Sequence, residues 1–395
     1  MDWTPERFAE LDRLFQQALE LEPAAREAFV ARQQQRSPET GRRLREMLRA
    51  DGRTGASIDE IVAAVADAFP PERDRLVGER FGPYRAERLL GRGGMGAVYL
   101  GERIEGDFAQ TAAIKTVRFG LESPQLLDRF RREREILAQL DHPGIARLLD
   151  GGPGPHGLPF VAMEYVDGLP ITEYVRREKC GLVRRLELFA ELCDAVAFVH
   201  RNSIVHRDIK AGNVLVTREG RVKLLDFGIA KLDDAFDLAG LTRTEQRPMT
   251  PEYASPEQVL NQPITTASDI YSLGVLLYEL LTDVRPVRLT SREPYAMAKA
   301  IVDQIPALPS QAASPLPPWQ RRLRGDLDRI VMTALRKEPE RRYASVTALA
   351  DDVRRYLAGR PVSATADVWH YRLRKWLGRH PVAGAVAVIF LVTVG

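Results

Sequence analysis

The stretch IVHRDIKAGNVLV places an aspartate, Asp208, five residues before an asparagine, Asn213, in a loop that leads into an apolar strand. A carboxylate that accepts or orients a hydroxyl proton, beside an amide oxygen offered to Mg2+, suits chemistry at a phosphate. Lys210, between them, would stabilise the charge that builds on a transferring phosphoryl group. One strand later LLDFG supplies Asp226, an anionic second metal ligand, although that tripeptide alone carries little. Upstream, AAIK ends a strand on Lys115, ordinarily the position of a surface lysine with a buried stem. Here the next segment, FRREREIL, carries Glu133, which could pair with Lys115 and fix its ammonium on the α- and β-phosphates of a nucleotide. Glu135 lies two residues on, about 200° round a helix, and cannot share that face.

A phosphate chain also needs a backbone that can approach it. Gly91, Gly93, Gly94 and Gly96 stand between Leu89-Leu90 and Val98-Tyr99-Leu100. Such a cluster costs backbone entropy, and a bland turn needs only one or two glycines. A dinucleotide-binding turn would open a helix after the last glycine, whereas Val98-Tyr99-Leu100 continues as a strand. That suits a β-hairpin folded over a triphosphate, its amides turned to the oxygens. The glycine spacing alone is a weak signal.

The elements that must position these groups divide the chain unevenly. Residues 1–69 have helical periodicity, with Phe8, Leu11, Leu14, Phe15 and Leu19 recurring at three and four, and 69–84 is rich in Pro, Gly and charge, as a linker is. Strand-like pattern runs from Tyr84 to about Ala113, a charged helix is predicted over 124–140, and LPFVAMEYV reads as a buried strand. Beyond Pro170 helices dominate to about Leu357, interrupted by the strand–turn–strand NVLVTREGRVKLLDFG and the loop 308–319. A small β-rich lobe with one helix therefore precedes a larger helical lobe.

Composition restricts the class. The 395 residues suffice for two or three domains, and 45% hydrophobic with 28% charged residues is ordinary for a globular chain. A net charge of +3 is too small to argue for nucleic acid. Cys180 and Cys193 match neither a metal spacing nor a disulfide framework, which favours a reducing compartment. No secretory signal opens the chain. Residues 382–395, VAGAVAVIFLVTVG, carry no charge; fourteen residues give roughly 21 Å of helix, short of the ~30 Å hydrocarbon core. They read as the opening of a transmembrane helix rather than a buried core helix, with Arg372, Arg374, Lys375 and Arg379 placing everything upstream in the cytoplasm.

The motifs GRGGMGAVY, AAIK, HRDIKAGN, DFG and PEYASPE occur in one order and with suitable spacing, and over roughly residues 78–357 the chain resembles the eukaryotic-like serine/threonine protein kinases of bacteria, of the membrane-anchored type. The resemblance implies an α+β, two-lobed protein kinase fold: a leader and linker at 1–77, a kinase domain at 78–360 (small lobe 78–165, large lobe 166–360), a basic juxtamembrane segment at 361–381 and the start of a membrane helix at 382–395. It implies ATP with Mg2+, or Mn2+ in its place, and Ser/Thr of proteins as acceptors. Leu90, Gly91, Arg92, Gly93, Gly94, Met95 and Gly96 would cover the ATP phosphates. Val98 and Ala113 would line the adenine pocket from above and Leu215 from below, with Met163 as gatekeeper and Glu164 and Val166 as hinge residues. Leu137, Leu148, His206 and Phe227 match a stacked hydrophobic spine anchored by Asp269, and Glu257 with Arg342 match a buried ion pair.

The lysine two residues after Asp208 resembles Ser/Thr rather than tyrosine kinases, and Thr250 matches the threonine that bonds the base and that lysine. Arg207 resembles the arginine through which phosphorylation orders the activation loop, here at Thr242 or Thr244. Three positions depart from the pattern: Met249 where glycine is usual, Ser255 for alanine, and Pro170 where some relatives have an acidic ribose contact. The leader resembles, more weakly, the helical leaders of bacterial membrane kinases and would serve docking or dimerisation; a homodimer would allow autophosphorylation in trans. The alternatives are a pseudokinase or nucleotide-dependent scaffold, which loss of Lys115, Asp208 or Asp226 would favour, and a small-molecule kinase.

Overall fold

The computed structural model describes residues 23–37, 40–42, 76–93, 96–106, 108–116, 140–226, 251–289, 293–312 and 318–365, with Leu14, Ala18, Ala138 and Ser291 as single positions. It separates into two compact units, Met1–Leu76 and Val77–Gly395. In the first, the sequence PAAREAFVARQQQR forms helix α1 (Pro23–Arg36), on which Val30 is buried.

The second unit opens with six antiparallel strands: β1 (Arg80–Phe81), β2 (Tyr84–Gly93), β3 (Gly96–Arg103), β4 (Thr111–Thr116), β5 (Leu148–Pro153) and β6 (Pro159–Glu164), ordered β1-β2-β3-β4-β6-β5. Alternation sorts their side chains. Ala97 and Tyr99 of β3 and Ala112, Ile114 and Thr116 of β4 are buried on one face. Residues directly opposite each other in register share a face, so Val98 lies beside Lys115, and Ala113 beside Met163, on the other. The sheet curls until its edge strands meet. At Gly82, whose φ of +56° already favours glycine, a Cβ would lie 3.1 Å from Phe160 and 3.3 Å from Asp150 Oδ2. Phe81 seals the seam, its ring 5.5 Å from Phe160 edge-on and 6.3 Å from Tyr99. The stretch 69–84, linker-like in composition, therefore enters the sheet from Arg80 onward; one buried phenylalanine has no periodicity to reveal it.

The larger lobe begins with strand β7 (Gly168–Pro170) and helices α2 (Ile171–Arg177) and α3 (Leu182–Arg201), followed by β8 (Val214–Thr217) and β9 (Val222–Leu224), which complete a β7-β8-β9 sheet. Helices α4 (Pro256–Val259), α5 (Thr266–Thr282), α6 (Pro294–Asp303), α7 (Gln320–Leu323), α8 (Asp326–Ala334) and α9 (Val346–Leu357) follow. The axis of this lobe is α5, buried at every position from Ser268 to Thr282. A helix sunk that deeply must satisfy its terminal backbone groups within the protein. Thr265 caps its first turn through Ala267 N (3.3 Å). At its end, buried Arg185 of α3 donates to Leu280 O (2.6 Å), Cys180 O (3.0 Å) and Asp283 Oδ1 (2.9 Å), and its guanidinium lies 4.8 Å from the Trp319 ring centroid.

Two further polar centres hold the lobe. Arg342 meets Glu257 through paired bonds of 2.7 and 2.8 Å and donates to the carbonyls of Arg336, Ala267 and Lys337. Burial alone would raise the Glu257 carboxyl, but hydrogen bonds from Arg342 and Ser268, with the guanidinium charge, hold it below its ordinary range. Past α9, fully buried Asp352 accepts from Ser363 N (2.6 Å), Ser363 Oγ (2.9 Å), Ala364 N (2.8 Å) and Tyr343 OH (3.0 Å). Val362 joins the core and Thr365 accepts from Arg329 (3.0 Å), so the packing runs five residues past 360. Among the described residues no helix is long and apolar enough to cross a membrane; the segment 382–395 lies outside them, as do the predicted helix residues 124–137.

Two outcomes follow from these centres. Glu257→Gln or Arg342→Met each leaves a buried charge without its partner and should cost about 3–5 kcal/mol in chemical denaturation, the double variant costing less than the sum of the two. A chain ended at 360 strands Asp352 and should melt several degrees below one ended at 366, by calorimetry; equal melting temperatures would show that the terminal segment adds no stability.

Candidate active site

The catalytic loop lies between α3 and β8 and is built from backbone bonds to one carboxylate. Asp269, buried in the first turn of α5, accepts from His206 N (2.8 Å), Arg207 N (2.9 Å) and His200 Nε2 (2.8 Å). These bonds hold Arg207 at φ +66°, a left-handed conformation that a long side chain adopts only under constraint. Gln258 Nε2 braces the same residue at its carbonyl (2.9 Å), while Gln258 and Ser255 form a capping box at the start of α4. The serine that replaces the usual alanine is thus the cap of that helix.

Asp208 follows. Its carboxylate takes a bond from Asn213 Nδ2 (2.9 Å), which also donates to the Asp208 carbonyl (2.8 Å), and lies 3.2 Å from Lys210 Nζ. With its amide nitrogen committed to Asp208, Asn213 keeps its oxygen as a ligand atom. His206 joins this loop to the strand that carries Asp226. Its Nδ1 accepts from Asp208 N (3.3 Å), and its Nε2 faces the Leu225 carbonyl (3.1 Å), which can only accept. The ring is therefore the neutral Nε2–H tautomer, and burial accordingly pushes its pKa below the ordinary value against the pull of Asp269 and Asp208. Leu225 N in turn donates to Asn213 O (2.8 Å), setting the two proposed metal ligands on adjoining backbones.

Asp226 also has a left-handed φ, +55°. Both of its oxygens lie 2.6 Å from Lys115 Nζ, a pair that joins the small lobe to the large. The sequence reading gave Lys115 a different partner, Glu133, which lies outside the described residues. An amide oxygen beside a carboxylate is a hard-oxygen donor set of the kind Mg2+ or Mn2+ takes, so Asn213 and Asp226 fit the metal that the motifs imply.

Strand register places the residues expected to face the nucleotide. Val98, Ala113, Lys115 and Met163 lie on one face of the sheet, each half-buried, with half-buried Leu215 on β8 paired to Pro170. The glycine stretch is a β2–β3 hairpin in which Gly91 faces Val98, Arg92 faces Ala97 and Gly93 faces Gly96; Leu90 is exposed on its way in. At Gly96 only glycine fits, because φ is +150° and a Cβ would lie 1.8 Å from Thr116 O. Glu164 and Val166 sit where the two lobes join. A contact that the motifs did not signal fixes Glu164: Lys223 of β9 donates to both of its oxygens (2.7 and 2.9 Å), and Arg147 N donates to one (3.2 Å). Gly94, Met95, Leu137, Phe227, Thr242, Thr244, Met249 and Thr250 lie outside the described residues; Leu148 and His206 of the expected spine pack against or within the large-lobe core.

Comparison with known proteins shows the family. The protein kinase domain family matches residues 84–353. A probable serine/threonine-protein kinase of Streptomyces coelicolor is 39% identical over 302 residues, 75% of this chain and 42% of that protein. Serine/threonine-protein kinase Pkn1 of Myxococcus xanthus is 36% identical over 321 residues (79% and 43%), and PknB of Mycobacterium tuberculosis 36% over 289 (71% and 44%). This chain thus spans a little over two fifths of the length of these relatives. Among solved structures, the kinase domain of Mycobacterium tuberculosis PknI superposes with a TM-score of 0.51 at 25% identity, over 70% of this chain and 98% of that one. With the family matched across both lobes, and the loop, strand and hairpin motifs assembled around one cleft, the chain belongs to the protein kinase family.

Proposed function

We propose that the chain transfers the γ-phosphoryl group of ATP, with Mg2+, to Ser and Thr hydroxyls of proteins. The observation that carries this reading is the joined geometry of the cleft: Asp208, Lys210 and Asn213 held together on one loop and tied by the Asn213–Leu225 backbone bond to Asp226 and Lys115. The acceptor oxygen forms a bond to the γ-phosphorus as the bridging β–γ oxygen leaves with ADP, and Asp208 orients the hydroxyl and takes its proton. Asn213 and Lys210 fix that carboxylate from two sides, and Lys210 stabilises the charge on the transferring group. Lys115 holds the α- and β-phosphates, the glycine hairpin covers the phosphate chain and excludes water, and the half-buried face of Val98, Ala113 and Met163 takes the base. Asn213 and Asp226 would hold the metal, which neutralises phosphate charge. Lysine at 210 favours Ser/Thr acceptors.

The finer readings belong here too. Arg207, braced at its carbonyl by Gln258, is proposed to receive a phosphate on Thr242 or Thr244 and so order the activation loop, with Thr250 steadying Asp208 and Lys210. Autophosphorylation of this kind would run in trans within a homodimer. The apolar 382–395 segment is proposed as a membrane anchor that leaves the kinase domain in the cytoplasm. The scaffold alternative is disfavoured because Lys115, Asp208 and Asp226 are all present and linked.

With Mg2+ and γ-labelled ATP, the wild-type chain should label Ser or Thr of itself and of a protein substrate. Asp208→Asn should lower the rate by about 10²–10⁴-fold while ATP still binds. Label absent from the wild type despite ATP binding would return the scaffold reading, and label mapped away from both Thr242 and Thr244 would remove the loop reading. A chain ended at 381 should leave the membrane fraction for the soluble one; the same distribution as the full chain would rule out the anchor.

A further inference from the structure

Next to the loop that carries Asp208, four elements converge: α2, the turn Ala211–Asn213, the turn Pro251–Tyr253 and the C-terminal end of α5. With the small-lobe side of the cleft given to the nucleotide, as proposed above, this rim is where an acceptor segment would lie to present its hydroxyl to Asp208. Tyr253 stands at the centre of the rim. Its oxygen accepts from the Ala211 backbone, three residues past Asp208, and its hydroxyl donates to Glu279. Burial and the Glu279 charge both raise its pKa, so the phenol stays neutral.

The charges on this rim are not equally engaged. The carboxylates are committed: Glu279, 8% exposed, to Tyr253; Asp283, 40% exposed, to buried Arg185 at 2.9 Å; Glu252, 28% exposed, to Arg285 at 2.9 Å. Arg176 of α2 is 54% exposed and reaches Glu279 and Asp283 only at 3.8 Å, too long for a hydrogen bond, so among the described residues its fork of donors has no acceptor in bonding range. Arg285 is 41% exposed and lies 5.3 Å from the Tyr253 ring centroid, a stacked position that fixes its orientation. A segment laid across the rim therefore meets at Arg176 the most exposed of these charges, while Glu279, Asp283 and Glu252 each already have a partner.

We propose that Arg176 and Arg285 pair with an acidic residue flanking the acceptor, so that the substrates of this kinase are Ser/Thr segments of acidic character. The inference deepens the function proposed above and rests on it. A basic flank would place like charge against both guanidinium groups, while an acidic flank gains bidentate pairing.

The test compares three synthetic peptides with the same acceptor, flanked by Glu, Gln or Lys, as substrates of the full-length chain. Wild type should show kcat/KM about tenfold higher for the Glu peptide than for the Lys peptide, as expected of two partly exposed pairs acting together. Arg176→Glu and Arg285→Glu should each bring that ratio to one or below, and the corresponding Ala variants should lower it without inversion. The ratio is insensitive to a general loss of activity, and transfer to the Gln peptide reports that each variant is folded. A wild-type ratio at or below one, or a ratio that both Glu variants leave unchanged, would overturn the inference while leaving the kinase reading intact. No transfer to any peptide, nor to the chain itself, would remove both.

Discussion

The site depends on one buried carboxylate that touches no reactant. Asp269 sits in the first turn of α5, where the helix dipole favours negative charge, and spends its oxygens on two consecutive backbone N–H groups and one imidazole. A carboxylate taken out of water is tolerable only when donors surround it, so its position is unforgiving. That rigidity passes to the loop. Two adjacent amides aimed at one anion require the chain to turn sharply, and the turn is recorded as the left-handed φ of Arg207. The next residue, Asp208, therefore leaves α5 in a fixed direction before any of its own contacts are counted.

From there order propagates through groups with only one way to bond. The Asp208 N–H can only donate and the Leu225 carbonyl can only accept, so His206 between them has one tautomer. Leu225 is held from its other side by Asn213, and Asp226 begins at its C-terminal end with a second left-handed φ. Asp226 then reaches Lys115 across the cleft. The proposed base, metal ligands and phosphate-binding lysine, spread over more than a hundred residues of chain, are thus a single hydrogen-bonded run from α5 to β4. Strain at two non-glycine residues is what such a run requires, since the geometry that serves the chemistry is not the one each backbone would choose.

What the sequence displayed and what it concealed separate along the same line. Asp208, Lys210, Asn213 and Asp226 stood out because the chemistry proposed for them requires particular residue types at short fixed spacings, and the alternation of β3 and β4 was legible because one face is buried. The contacts that aim those residues were not. Gln258 on Arg207, Lys223 on Glu164 and Arg185 beneath the end of α5 join positions 51, 59 and 95 residues apart, and each is an ordinary polar side chain in its own neighbourhood. Ser255 was readable only as a small residue replacing a small one, because a capping box depends on φ/ψ and on a partner three residues on. Phe81 vanished into a polar stretch for a similar reason: the seam it closes exists only once the sheet has curled.

Helix α5 gives these observations a common cause. It is buried along nearly its whole length, so both termini must be satisfied by side chains rather than water. Its N-terminus is capped by Thr265 and carries in its first turn an acid, Asp269, that organises the loop leading to Asp208. Its C-terminus is met by a base, Arg185, which also takes Asp283 out of circulation. Glu279, one turn before that end, is turned inward to Tyr253 and so to the same catalytic loop through Ala211. With both carboxylates engaged elsewhere, Arg176 finds no acid within hydrogen-bond distance among the described residues. The arrangement proposed for the substrate rim and the geometry of the loop that carries Asp208 then share one requirement, that a deeply buried helix leave none of its own backbone groups or charges without a partner.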